Sequence, residues 1–252
     1  MRFAQDELTR DGFLGGALHL WQPRKGYRAA SDPVFLAASV AARPGARVLE
    51  LGCGAGAALL CLGRRVDGLD LSGLELQPGY ADLARRNAAA NGIEAWIIEG
   101  DLAEMPATLR QESFDHVIAN PPYLEAGGGT PSRDAGREAA FREATPLAIW
   151  ADAAIRRLKP GGTLTFIQRS ERLADLLAAL GGRVGSIEVK PLVPRTGQPA
   201  TRVLVIAAKG GRGAFKLHSP LILHDGACHD GDRDSYSTEA RAILRDGKPL
   251  IF

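Results

Sequence analysis

Asn120-Pro121-Pro122-Tyr123 closes a run, Phe114-Asp115-His116-Val117-Ile118-Ala119, that reads as a short buried strand. Two consecutive prolines remove two backbone donors and disfavour helix, so the chain leaves the strand stiff and extended. The Asn120 side-chain carbonyl and the Pro121 backbone carbonyl can then face one point. Two acceptors at one point suit a planar NH2 group whose nitrogen lone pair is tied up in conjugation. Accepting from both N–H groups draws that nitrogen toward a tetrahedral, nucleophilic form. Tyr123 supplies a flat apolar face on which a flipped-out base or a planar amide can stack. A plainer reading of the same residues is a proline turn after a strand, with Tyr123 filling the core.

A second group of residues suits a nucleotide-like ligand. Gly52-Cys53-Gly54-Ala55-Gly56 follows a strand, Ala46 to Leu51, and precedes a helix opening at Ala57. Small residues let the backbone approach a ligand, and the helix start supplies free N–H groups. Cys53 reads as one more small residue of the turn. Two acids compete for the end of the next strand. Ending it at Asp70 leaves too few residues for a helix after Gly56 and puts Pro78 inside the following helix. A strand from Leu71 to Leu76 avoids both problems. It puts Glu75 at its end, 19 residues past Gly56, near the offset of about 20 at which a carboxylate grips ribose hydroxyls. Asp70 then lies at the surface. Asp101, after a third strand (Ala95 to Glu99), suits an adenine amino group or caps the next turn.

The elements that must position these groups alternate between strand and helix. Ser31-Asp32-Pro33 starts a helix expected to run to about Ala42. Pro78-Gly79-Tyr80 starts another, stopped by Asn91-Gly92. Residues 114–119 form a fourth strand. A helix from about Thr145 to Leu158 ends at Lys159-Pro160-Gly161-Gly162, and Thr163 to Gln168 is a fifth strand. After a helix from Glu171 to Leu180, Val184 to Val189 and Arg202 to Ala207 form a hairpin-like pair around Pro194 to Gly197. Residues 1–32 read as mixed, with turns at Asp11-Gly12 and Gly15-Gly16. Within them, Trp21 to Arg28 is basic and aromatic and is expected either over a ligand or as a surface turn. Ala126 to Arg137 is a long glycine-rich loop beside the site. Lys216 to Leu223 is expected to be extended and Ser237 to Leu244 helical. In an open α/β sheet, ligands lie beyond the carboxyl ends of the strands. Gly52 to Gly56, Glu75, Asp101 and Asn120 all fall there.

The bulk numbers leave this reading open and close others. A hydrophobic content of 45% in 252 residues supports a sizeable core. No apolar run reaches membrane-spanning length, and the start has no apolar leader region. Cys53, Cys61 and Cys228 make no paired framework, so a reduced, cytoplasmic protein is expected. A net charge of +2 permits a nucleic-acid partner without arguing for one. His224 to Asp230 holds histidine, cysteine and aspartate, yet with no metal-ligand spacing; a solvated loop and no metal are expected.

Gly52, Gly54 and Ala57 also satisfy the loose dinucleotide pattern, which keeps an oxidoreductase in view. Glu50, two residues before the loop, and the tetrapeptide after strand four argue against it. A methyl donor beside a polarised NH2 group accounts for both halves of the cleft.

Glu50-Leu51-Gly52-Cys53-Gly54-Ala55-Gly56, Glu75, Asp101 and Asn120-Pro121-Pro122-Tyr123 resemble the class I S-adenosylmethionine-dependent methyltransferases that modify amino nitrogens. The resemblance implies an α/β, Rossmann-like fold. Its sheet would have seven mostly parallel strands with the last antiparallel, and helices on both faces. It implies that the glycine loop approaches the methionine part, Glu75 binds ribose, Asp101 contacts adenine, and Asn120 to Tyr123 hold the target nitrogen.

Leu14-Gly15-Gly16 with Leu18, Gln22 to Arg28, Asp32-Pro33, Pro194-Arg195, Pro199-Ala200 and Tyr236 to Ala240 are similar to the bacterial valine-tRNA adenine-N6 methyltransferases. Only the stretch Ala227 to Asp234 is longer than that family leads one to expect. The cofactor set implied is Asp32, Glu50, Gly52, Gly54, Gly56, Glu75, Asp101 and Asn120. The substrate set is Pro122, Tyr123, Arg24, Lys25, Arg28, Arg133 and Arg137, with tRNA as partner. One domain over 1–252 is expected: a covering segment at 1–43, the core at 44–209 and an extension at 210–252.

The expected reaction is in-line methyl transfer without a dedicated base: Asn120 and Pro121 polarise the amine, Tyr123 stacks the base, and His116 is structural. The alternatives are a release-factor-type glutamine methyltransferase, since a side-chain amide is also planar NH2, an rRNA base amino-methyltransferase, and a non-catalytic binding module that keeps the fold. Glutamine methyltransferases of that type carry a helical domain before the core, and the 49 residues before Glu50 do not read as one.

Overall fold

The computed structural model describes residues 2–122, 124–125, 142–143, 145–226 and 235–252. Tyr123 and the whole glycine-rich loop from Ala126 to Arg137, with Arg133, lie outside them, as do Cys228 and its neighbours.

The chain opens with an antiparallel hairpin, β1 (Leu8–Phe13) and β2 (Leu18–Pro23), with Gly12 opposite His19. This corrects the sequence expectation for that segment: Asp11 and Gly12 lie inside a strand, and only Gly15-Gly16 turn. Gly15 has φ +64°, and a Cβ there would stand 2.6 Å from the Arg245 carbonyl oxygen, so glycine lets the turn meet the C-terminal helix. Helix α1 (Asp32–Ala38) has its proline in the first turn and ends four residues short of Ala42.

The main sheet then begins. β3 (Arg47–Leu51), α2 (Ala57–Arg65), β4 (Asp70–Glu75), α3 (Pro78–Ala90) and β5 (Trp96–Glu99) alternate, followed by α4 (Ala107–Arg110) and β6 (Phe114–Ala119). β7 (Leu124–Glu125) and β8 (Arg142–Glu143) make a short parallel pair of their own. Helix α5 (Leu147–Arg157) runs straight into β9 (Leu158–Arg169). Lys159 to Gly162, expected to be a loop, is therefore the start of a strand. The register slips there, between the partners of Phe114 and His116, which absorbs the Pro-Gly-Gly. After α6 (Leu173–Leu180), β10 (Val184–Val193) and β11 (Arg202–Lys209) pair antiparallel as expected.

With the short strand β12 (Lys216–Leu217) at one edge, the strand order is β12-β10-β11-β9-β6-β3-β4-β5. β11 is antiparallel to both neighbours, and the run β9-β6-β3-β4-β5 is parallel. Seven strands thus take the expected arrangement. Two short additions, β12 (Lys216–Leu217) and β13 (Leu221–Ile222), pair with β10 and lengthen the edge, and α7 (Thr238–Asp246) closes the chain.

Alternation along the strands divides the apolar residues between two faces. Val48, Ile118, Ile167 and Leu204 pack with α1, α2, α3 and α7. Leu49, Val117, Phe166, Val203 and Val205 pack with α5 and α6. With helices on both faces, the polar end groups of the parallel strands are left to face a cleft at their carboxyl ends.

Candidate active site

Glu50 sits in the fourth position of β3 and is buried at 3% exposure. Its Oε2 accepts from the Leu59 N–H at 2.8 Å. Gly56, the residue before α2, has no side chain with which to cap it, so Glu50 takes an N-terminal donor of that helix from the neighbouring strand. Burial pushes its carboxyl well above the ordinary range; the Leu59 N–H opposes that shift and nearby Glu75 adds to it.

Glu75 ends β4, as the spacing predicts, at 6% exposure. Oε2 accepts from the Gly54 N–H and Oε1 from the Gln77 N–H, both at 2.8 Å. Burial raises its carboxyl too, against the pull of those backbone donors. Each oxygen keeps acceptor capacity beyond the bond it already makes. Asp70 is at the other end of the strand, exposed and paired with Arg47 at 2.8 Å.

One cavity gathers Glu50, Gly52, Gly54, Glu75, Asp101, Asn120, Pro121 and Pro122 on its wall. Its atom-free space of about 1190 Å³, mouth included, has room for a nucleoside with an amino-acid arm. Asp101 both lines the cavity and caps its turn, accepting from the Ala103 N–H at 2.8 Å. Gly52 has φ +64°, and a Cβ there would lie 2.5 Å from Cη2 of Trp150. Glycine thus lets α5 press an indole onto the loop. His116 is outside the cavity lining; its Nδ1 is 2.8 Å from the Thr163 hydroxyl, and burial lowers its pKa.

Other expected site residues are placed differently. Asp32 is paired with Arg202 at 2.9 Å, and Pro33 beside it is the one that lines the cavity. Gly56 caps α2 from just behind the lining residues. Arg24 and Lys25 are exposed, and Arg28 is held by Asp11 at 2.7 Å. From the basic-aromatic run it is Gln22 and Tyr27 that line the wall. Burial raises the Tyr27 phenol, and the fields of Asp32 and Glu50 add to the shift. Tyr80 and Trp150 line it as well. An aromatic in a basic run was a signal for Tyr27; nothing in the local sequence separated Trp150 from a core residue. Among the described residues, no group of three histidine, cysteine or acidic side chains is arranged to hold a metal.

A methyltransferase-domain model matches residues 48–162, the stretch that carries β3 to the start of β9. A solved structure from Agrobacterium tumefaciens, titled a predicted O-methyltransferase, is 27% identical with a TM-score of 0.70 over 87% of this chain and 98% of that one. The chain is a class I methyltransferase. Curated relatives extend the likeness past the domain. This methyltransferase is 27% identical to a tRNA1(Val) (adenine(37)-N6)-methyltransferase of Dickeya chrysanthemi, over 95% of this chain and 94% of the other. A protein of the same description from Actinobacillus succinogenes is 25% identical over 94% and 96%.

The cofactor of such enzymes is S-adenosylmethionine, and the cavity fits it. The buried carboxylates of Glu50 and Glu75 form no ion pair among the described residues, which suits a cationic sulfonium bearing a ribose. Held in place by backbone N–H groups, Glu75 has acceptors to offer hydroxyls.

Proposed function

We propose that the enzyme methylates the exocyclic amine of an adenine in tRNA, in the anticodon loop, at N6. The observation that carries this is the end-to-end likeness to proteins described as tRNA1(Val) (adenine(37)-N6)-methyltransferases, joined to a cavity lined by both Glu75 and Asn120-Pro121. On this reading 1–252 is one cytoplasmic methyltransferase domain, covered by 1–43 and extended by 210–252.

The roles follow from the chemistry of the groups. Glu75 takes the ribose hydroxyls and Asp101 the adenine amine of the cofactor, while Gly52 and Gly54 keep the loop free of side chains beside it. S-adenosylmethionine, when bound, supplies an electrophilic methyl group. Asn120 and the Pro121 carbonyl accept from the two N–H groups of the target amine and draw its lone pair out of the ring. Tyr123 and Pro122 flank the base. Alkylation makes the nitrogen strongly acidic, so its proton can pass to water afterwards and no general base is needed. Arg24, Lys25, Arg28, Arg133 and Arg137 are the candidates for phosphate contacts around the cleft.

The test offers the enzyme labelled cofactor with total tRNA and, separately, with purified release factor. Label recovered as N6-methyladenosine in tRNA is the expected result. Label in the protein alone overturns the reading in favour of glutamine methylation; a release factor glutamine methyltransferase of Geobacter sulfurreducens is 35% identical, although over only 31% of this chain and 27% of its own. Nucleoside mass spectrometry of tRNA from cells with and without the gene gives the same answer in vivo.

A further inference from the structure

Helix α3 starts three residues after Glu75, and one stripe of it carries Tyr80 and Asn87 and is continued by Asn91 at its C-cap. Each of the three grips both the N–H and the carbonyl of a single residue in the N-terminal segment. Asn91 Oδ1 accepts from the His19 N–H at 3.0 Å, and its Nδ2 donates to the His19 carbonyl at 2.7 Å. Asn87 does the same for Trp21, at 2.7 and 3.0 Å. The Tyr80 hydroxyl accepts from the Tyr27 N–H at 2.8 Å and donates to the Tyr27 carbonyl at 3.1 Å. Helix and segment run antiparallel, 80 to 91 against 27 to 19.

The spacing explains the fit. Four helical residues rise about 6 Å and two strand residues about 6.6 Å, so Asn87 and Asn91 meet alternate peptide groups on the edge of β2 that β1 leaves open. The side-chain amides stand in for a neighbouring strand. They read backbone, so the grip does not depend on the side chains of His19 or Trp21.

The segment held in this way is a wall of the cavity, through Gln22, Tyr27 and Ala29. Asn87 is fully buried and spends its other N–H on the carbonyl of Ala55 in the glycine loop, at 2.9 Å. It therefore spans the two walls. Gly54 faces the Tyr27 ring, which a Cβ there would approach to 3.9 Å.

We propose that Tyr80, Asn87 and Asn91 are positioning residues of the cofactor cavity. They hold its N-terminal wall against the glycine loop by gripping backbone, so cofactor affinity depends on them more than the transfer step does. The proposal rests on this cavity being the S-adenosylmethionine site.

The test is calorimetry of S-adenosylhomocysteine with the full chain, alongside thermal melts and steady-state kinetics. Tyr80→Phe keeps the ring and removes only the hydroxyl, so its fold is the safest. It should weaken binding about fivefold, the size of a lost hydrogen-bond pair. Asn87→Asp, which loses both donations, should weaken it more, and Asn91→Ala, gripping the segment farthest from the cavity, less. In each, KM for the cofactor should rise by a larger factor than kcat falls. Lower melting temperatures with wild-type affinity in Tyr80→Phe and Asn91→Ala would reduce the stripe to a structural contact and overturn the proposal. So would a fall in kcat at unchanged KM. A wild-type chain that binds no S-adenosylhomocysteine overturns the cavity assignment itself, and the proposal with it.

Discussion

The two ends of the parallel sheet differ in whether their acidic residues meet a cation. At the amino ends, Asp70 and Glu112 both pair with Arg47 at 2.8 Å, and Asp115 pairs with Lys159 at 2.8 Å. At the carboxyl ends, Glu50, Glu75 and Asp101 accept from backbone N–H groups, and no cation reaches them among the described residues. Pairing cancels charge in partly solvated places, where it contributes little to stability. Backbone donors orient a carboxylate without cancelling it, and burial then makes its charge costly. β4 shows both within six residues, Asp70 paired and exposed at one end, Glu75 unpaired and buried at the other. The difference marks the end at which a cationic, hydroxyl-bearing ligand belongs.

The largest expected effect tests the carboxyl end directly. Asn120→Ala removes an acceptor that strengthens as the amine pyramidalises. By analogy with losing one oxyanion donor it should cost about 2–4 kcal/mol of barrier, roughly a hundredfold in kcat. Cofactor affinity should stay close to that of the wild type. Single-turnover kinetics with substrate tRNA measures this; near-normal turnover would remove Asn120 from the reaction.

Next come the two acids of β4. Losing charge-assisted hydrogen bonds worth roughly 1.5–3 kcal/mol, Glu75→Ala should bind S-adenosylmethionine at least about tenfold more weakly. Asp70→Ala should bind it as the wild type does. Calorimetry on the pair decides between them, and a larger loss in Asp70→Ala would reverse the comparison.

At the rim of the same end, Arg24→Ala combined with Lys25→Ala should weaken tRNA binding a few-fold and lower the salt slope by about 2, one for each phosphate no longer neutralised. Cofactor binding should not respond. An unchanged salt slope would place the tRNA elsewhere.

Glu50 gives a pH test of sign. Its folded pKa lies above the ordinary 4.5 because of burial. Between those values the folded state keeps a proton that the unfolded chain has released, so stability falls as pH rises through the window. Glu50→Gln keeps an acceptor for the Leu59 N–H and cannot titrate. Urea melts at about pH 5 and about pH 8 should show a smaller loss in the variant, and equal losses would mean Glu50 carries no such cost. The smallest effect belongs to the amino end. Asp115→Ala should cost about 1 kcal/mol or less, and should leave cofactor affinity alone.

Much of the cofactor half was legible in the chain order. The glycine loop, the choice of Glu75 over Asp70 and the strand ending at Ala119 all follow from local rules: where glycine permits a tight turn, where Pro78 can start a helix, how long a strand must be. Asp101 illustrates a limit: it caps its turn, one of its two readings, and lines the cavity, where the other, an adenine contact, has to be made. The N-terminal hairpin was less legible, because Asp11-Gly12 looks like a turn and only pairing with β2 makes it strand. Lys159 to Gly162 misled for a related reason: proline and glycines signal a break, but β6 alongside them accepts an irregular strand. Tyr123, Arg133 and Arg137 lie beyond the described residues, and their roles still rest on the sequence.

By itself the sequence determined what local stereochemistry controls. Glycine placement fixed the loop, and two prolines fixed the stiff exit from β6. Tertiary structure alone decided what needs residues far apart in the chain. Trp150 reaches Gly52 only because α5 packs on the face of the sheet that carries Leu49, Leu51 and Val117. Asn87 looks like an ordinary polar position of a helix, and Asn91 like part of its Asn-Gly stop, until β2 arrives beside them, 66 and 72 residues away in sequence, and offers its open edge. A buried amide or indole is chosen by its partners, and those partners are set by the packing of whole elements.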